Sequence, residues 1–111
     1  MKIKAVSGLK FIVSNPIDSA DFYEKLGFII TSREADISSV RSNWFWVEFT
    51  KGVPSSSEAH MAYLSVDNVE DTQRELISLN FDPTDLYESH NRKEVSITDL
   101  DGYKLVFFQK K

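Results

Sequence analysis

Glu48 stands in the run Trp44-Phe45-Trp46-Val47-Glu48-Phe49, whose alternate positions place two indoles and a carboxylate on one face of an extended strand. Indole faces hold flat rings and attract cations, and a carboxylate pairs with cations or accepts a proton as a general base. The same face therefore has the chemistry to bind a small aromatic or cationic molecule. A carboxylate beside Trp46 is costly if buried alone, so Glu48 must meet solvent or a cationic partner such as Arg41 or Lys10. Other chemistries are poorly served. No cysteine is present, which excludes disulfides, thiol catalysis and thiolate-bound metal, and there is no Gly-rich phosphate loop, nucleophile elbow or HExxH pair.

The elements that position these residues repeat. Sliding the chain by 53 residues sets Val13 on Val66, Asn15 on Asn68, Asp18 on Asp71, Leu26 on Leu79 and Phe28 on Phe81. Each match has a mechanical role. Leu9, Phe11 and Val13, and again Ala62, Leu64 and Val66, alternate as strand faces. Asn15 and Asn68 are suited to cap helices, Pro16 to the first helical position, and Asp18 and Asp71 to the first turn, where the helix dipole favours negative charge. Ile17, Ala20, Tyr23 and Leu26 share one helical face, as do Val69, Leu76 and Leu79. Gly27 and Asn80 follow, the two residue types that most readily take the left-handed backbone ending a helix. Strands are then predicted over 28–32, 37–41 and 44–50, and over 81–87, 94–98 and 104–109. Each half is thus βαβββ. The 111 residues read as a single domain, with module one over 1–52, module two over 58–111 and a short linker at 51–58.

Two such modules, with Phe22-Tyr-Glu-Lys-Leu-Gly-Phe28 on the first helix and Thr98-Asp-Leu-Asp-Gly-Tyr103 before the last strand, resemble the vicinal oxygen chelate superfamily of glyoxalases, bleomycin-resistance proteins and dioxygenases. The resemblance implies an α+β fold in which the tandem modules form a curled, barrel-like mixed sheet around a concave cavity. Strand parity then sorts the residues. Leu9, Phe11, Val13, Phe45, Val47 and Phe49 face a helix, and Arg41, Trp44, Trp46, Glu48, Met61, Tyr63, Glu94, Val106 and Phe108 line the cavity or its rim. Phe11→Ala is accordingly expected to be severely destabilising.

The resemblance also implies a divalent metal held by residues of the first and last strand of each module, positions that fall on Gly8, Glu48, Met61 and Val106. Only Glu48 is a donor suited to such an ion. His60, one residue before Met61, becomes a second candidate only if a bulge intervenes or the strand slips by one, which would turn Ala62, Leu64 and Val66 off their helix. His90 reads as a surface or cavity-mouth residue. No metal and no cofactor are therefore expected. The leading expectation is non-catalytic sequestration of a small aromatic or cationic molecule in a cavity completed by a second subunit, in the manner of metal-free bleomycin-resistance-like proteins and their role in antibiotic resistance. The alternatives are a metal-dependent lyase or dioxygenase using Glu48 and His60, or a metal-free enzyme with Glu48 or Glu94 as general base.

A net charge of −4 offers no basic footprint for nucleic acid. The first residues lack the apolar core of a secretory signal, and no apolar run approaches the roughly 20 residues of a membrane span. A cytoplasmic protein with neither nucleic-acid nor membrane partners is the expectation.

Overall fold

The computed structural model describes residues 1–55 and 61–111. The candidate ligand His60 and the end of the linker lie outside the described residues. The chain divides into two compact units, Met1–Ser55 and Ser56–Lys111. Each follows one topology.

In the first unit, β1 (Gly8–Val13) leads into α1 (Pro16–Lys25), followed by β2 (Ile29–Arg33), β3 (Ile37–Ser42) and β4 (Phe45–Lys51). In the second, β5 (Met61–Ser65) leads into α2 (Val69–Ser78), then β6 (Tyr87–Glu88), β7 (Arg92–Thr98) and β8 (Lys104–Lys110). The sheets have matching orders, β1-β4-β3-β2 and β5-β8-β7-β6, each with one parallel pair between its first and last strand. Both are mixed and four-stranded, and neither closes on itself into a barrel. The architecture is the α+β, twice-βαβββ arrangement that the repeat predicts.

Local chemistry sets the boundaries. The Asn15 side chain accepts from the Asp18 N–H at 3.1 Å, and that of Asn68 accepts from the Asp71 N–H at 2.8 Å. Each satisfies a donor that the first helical turn leaves unpaired. Past the helices, Gly27 takes φ 105° and Asn80 φ 68°, the left-handed conformation that turns the chain into the next element. The Asp99 carboxylate accepts from the N–H groups of Asp101 and Tyr103, both at 2.9 Å, and Gly102 takes φ 87°. That tight turn needs the Asp and the Gly and tolerates leucine at position 100.

Helix cover makes the core. Val13, Ala20, Tyr23, Val40, Val47 and Phe49 are buried in unit one, and the Tyr23 ring lies 4.8 Å from that of Phe49. Val69, Leu76, Val95, Ile97, Leu105 and Phe107 do the same in unit two. Arg33, at the end of β2, forks onto Asp21 of α1 with two hydrogen bonds of 2.9 Å. This holds the Asp21 carboxyl below the ordinary aspartate range, because the guanidinium hydrogen bonds favour the charged form.

Three expectations are corrected. The strand expected over 81–87 shrinks to Tyr87–Glu88, since Pro83 has no N–H to offer a ladder and Thr84 takes over the pairing. The Thr84 N–H donates to the Ser96 carbonyl, and its hydroxyl accepts from the Ser96 N–H, both at 2.9 Å. Leu9 and Leu79 are exposed rather than buried under a helix, the first at the start of an edge strand and the second at the helix C-cap. Phe11 is only half-buried, and Phe49 fills the centre of the core in its place. No helix among the described residues is long and apolar enough to cross a membrane.

Phe49→Ala is expected to cost about 3–5 kcal/mol by denaturant unfolding, with Phe11→Ala well below that. Equal losses at the two positions would contradict this ranking of the core.

Candidate functional site

The face of the first sheet opposite α1 carries the candidate site. In the β1–β4 ladder Gly8 pairs with Trp46 and Lys10 with Glu48, and in the β3–β4 ladder Arg41 pairs with Trp46 and Ser39 with Glu48. Side chains at paired positions share a face, so two rows of functional groups cross the sheet. Trp44 joins them from the turn. Asn43-Trp44 is a two-residue hairpin connection in which Asn43 takes φ 54°, a conformation Asn tolerates. The Asn43 carbonyl accepts from Arg41 Nη1 at 3.2 Å, tying the guanidinium to the rim.

Thr31, Ser39, Arg41, Trp44, Trp46 and Glu48 together line an open cleft of about 360 Å³. Trp44 is 70% exposed and Trp46 45%, so two large apolar rings border this space with much of their surface in water. Glu48 is half-buried. Its Oε2 accepts from the Thr50 hydroxyl at 3.5 Å and lies 3.6 Å from Lys10 Nζ. Of the two cations suggested as its partner, Lys10 fills that role.

Trp46 is placed by the absence of a side chain. A Cβ added to Gly8 would fall inside contact distance of the Trp46 ring, with the six-membered portion as its nearest atoms. The indole therefore lies over β1 only because position 8 is glycine.

Strand parity brings Arg41, Trp44, Trp46 and Glu48 together as expected. Two lining residues were missed. Ser39 shares the parity of Arg41, so extending the alternation along β3 would have found it. Thr31 shares the parity of Ile29, which pairs with Arg41, so alternation along β2 would have found it as well. The Thr31 and Ser39 hydroxyls are hydrogen-bonded at 2.6 Å.

The remaining candidates stand on the second sheet. The Tyr63 and Phe108 rings meet edge to face with centroids 6.1 Å apart, and the Arg92 guanidinium lies 4.9 Å from the Tyr63 ring centre while donating to Glu94 at 2.8 Å. A cation thus already sits on this ring and pairs with this carboxylate. Arg92 is the residue missed here, although it shares strand parity with Glu94. Val106 is buried at 2%, flanked across the ladders by Tyr63 and Ser96, and offers almost no surface to a ligand. Met61 is half-buried at the start of β5 and His90 is exposed between β6 and β7.

This architecture is the vicinal oxygen chelate fold. A glyoxalase/bleomycin resistance protein/dioxygenase from Nocardioides superposes with a TM-score of 0.81 at 12% identity, over 99% of this chain and 85% of the other. A lactoylglutathione lyase from Agrobacterium tumefaciens gives 0.80 at 11% identity, over 98% and 96%. A glyoxalase-related enzyme from Clostridium phytofermentans gives 0.76 at 18% identity, over 99% and 98%. At the level of sequence, no family model and no curated protein matches. At these identities the similarity establishes the fold.

The divalent metal that such a fold implies does not fit the residues at its positions. Gly8 has no side chain and lies against the Trp46 ring, Val106 is apolar and buried, and Met61 offers a thioether. Glu48 lies beside Lys10, and among the described residues no three His, Cys, Asp or Glu side chains converge.

Gly8→Ala is expected to push the Trp46 indole off β1 and shift the tryptophan emission, with little change in cooperative unfolding. An unchanged emission spectrum would contradict the contact between Gly8 and the ring.

Proposed function

We propose that the chain binds a small, flat aromatic molecule in the cleft of its first module and holds it without chemical change, in the manner of metal-free bleomycin-resistance-like proteins. The observation carrying this reading is the convergence of Trp44 and Trp46, both partly exposed, on one open cleft that Thr31, Ser39, Arg41 and Glu48 also line. Ligand pockets commonly combine apolar walls with a few fixed polar groups that set orientation. Stacking a ring on these indoles removes their apolar surface from water. A second copy of the chain completes the cleft in this proposal. Among the described residues β1 and β2 stand at the edges of their sheet, and Leu9 and Ile29 on them are exposed, so two-fold association would cover apolar surface there.

A metal-dependent lyase or dioxygenase draws on the names of similar structures but not on the donor set present here. Metal-free general-base catalysis is the second reading, favoured by the place of Glu48 on the cleft wall. Glu94 suits that role less well, because Arg92 engages it.

The test uses an uncharged probe. Naphthalenemethanol, titrated against tryptophan fluorescence, is expected to bind the native protein, and Trp46→Ala to weaken binding about fivefold to tenfold while unfolding as cooperatively as the native chain. Sedimentation of the same sample should show a dimer. Absence of binding, or a Trp46→Ala variant that fails to fold, would contradict the cleft assignment, and turnover of a bound compound would favour the general-base reading.

A further inference from the structure

The polar wall of the cleft points to the charge of what it binds. The chain has four arginines, and three are engaged with carboxylates: Arg33 with Asp21, Arg74 with Asp71, and Arg92 with Glu94. Arg41 differs. Among the described residues it hydrogen-bonds to the Asn43 carbonyl at 3.2 Å, and no carboxylate there lies within ion-pair distance of it. A guanidinium carries five N–H donors in a planar fork matched to a carboxylate.

Glu48 lies on the same wall but belongs to Lys10, 3.6 Å away. Taken together, Lys10, Arg41 and Glu48 leave this face with an excess of positive charge, and the cation without a carboxylate partner is the one lining the cleft. Hydroxyls add to the donor set. The bond between Thr31 and Ser39 uses one of their two hydroxyl protons and leaves the other for an acceptor in the cleft. The lining thus combines two indoles with hydrogen-bond donors.

We infer that the ligand class of this cleft is the aromatic carboxylate, its ring on Trp44 and Trp46 and its carboxylate on the Arg41 fork with the hydroxyl pair of Thr31 and Ser39. This rests on the proposed reading of the cleft as a binding site and deepens it. It also selects against the aromatic cation that Glu48 suggests in the sequence, because such a ligand would meet Arg41 as a like charge while Glu48 already has Lys10 beside it. Lysine is a poor substitute at position 41, since an ammonium is a point charge without the planar fork.

Naphthoate, naphthalenemethanol and naphthylmethylammonium share one ring and differ in charge, so their affinities separate the two claims. For the native protein, naphthoate is expected to bind about tenfold or more tightly than the alcohol, a ratio typical of a charge-assisted hydrogen-bond pair. Arg41→Gln is expected to collapse the ratio of naphthoate to alcohol affinity to about one, and Arg41→Lys to restore part of the difference. Equal binding of naphthoate and alcohol overturns the inference while leaving the cleft as an aromatic site. So does an Arg41→Gln variant that keeps the native ratio, or an ammonium that binds tightest. If none of the three probes binds, the cleft reading fails and the inference fails with it. Thermal unfolding of both Arg41 variants checks that each is folded, as expected for an exposed side chain.

Discussion

A four-stranded sheet carrying one helix has two faces and cover for only one of them. In the first module α1 covers the face bearing Val13, Val40, Val47 and Phe49, and Tyr23 seals it against Phe49 and Phe28. Strand alternation then obliges the intervening side chains to emerge opposite, where Trp46, Glu48, Ser39 and Arg41 stand. The cleft is a consequence of this division. Moving β4 by one residue would bury Glu48 under the helix and expose Phe49, so the packing that stabilises the module also holds the register of the site.

Within that frame, small residues decide what the face can be. Gly8 lets the Trp46 ring lie over β1 at a position where the fold elsewhere implies a metal ligand. A side chain at position 8 and this placement of the Trp46 ring therefore exclude each other. Val106 stands in the second sheet where Glu48 stands in the first, opposite Tyr63 as Glu48 is opposite Lys10. The two modules share a backbone plan and differ in their exposed chemistry. In the second, Arg92 already lies on Tyr63 and holds Glu94, while the cleft of the first has Arg41 with no carboxylate partner among the described residues.

Much of this was legible in the sequence because it depends on local rules. The caps at Asn15 and Asn68, the left-handed residues at Gly27 and Asn80 and the alternation from Trp44 to Phe49 each have a short-range physical cause, and the structure carries them all. What was not legible depends on partners distant in the chain or on broken periodicity. The register of β2 against β3 shifts between Ile30 and Ser32, and Thr84 replaces a strand by pairing with Ser96. Whether Lys10 or Arg41 would pair with Glu48 was settled by the register of β1 against β4, which strand patterns alone leave open. That register leaves Arg41 without a carboxylate partner among the described residues.

The most direct test of the cleft is a ¹H–¹⁵N spectrum recorded while an aromatic probe is titrated in. With only two tryptophans in the chain, the two indole N–H signals report the proposed site directly. If the cleft binds the ring, both indole signals shift together with the amides of Thr31, Ser39 and Arg41, while Ala20 and Tyr23 on α1 stay in place. Shifts centred on Tyr63 and Phe108 with the indoles unmoved would contradict it and place binding on the second module.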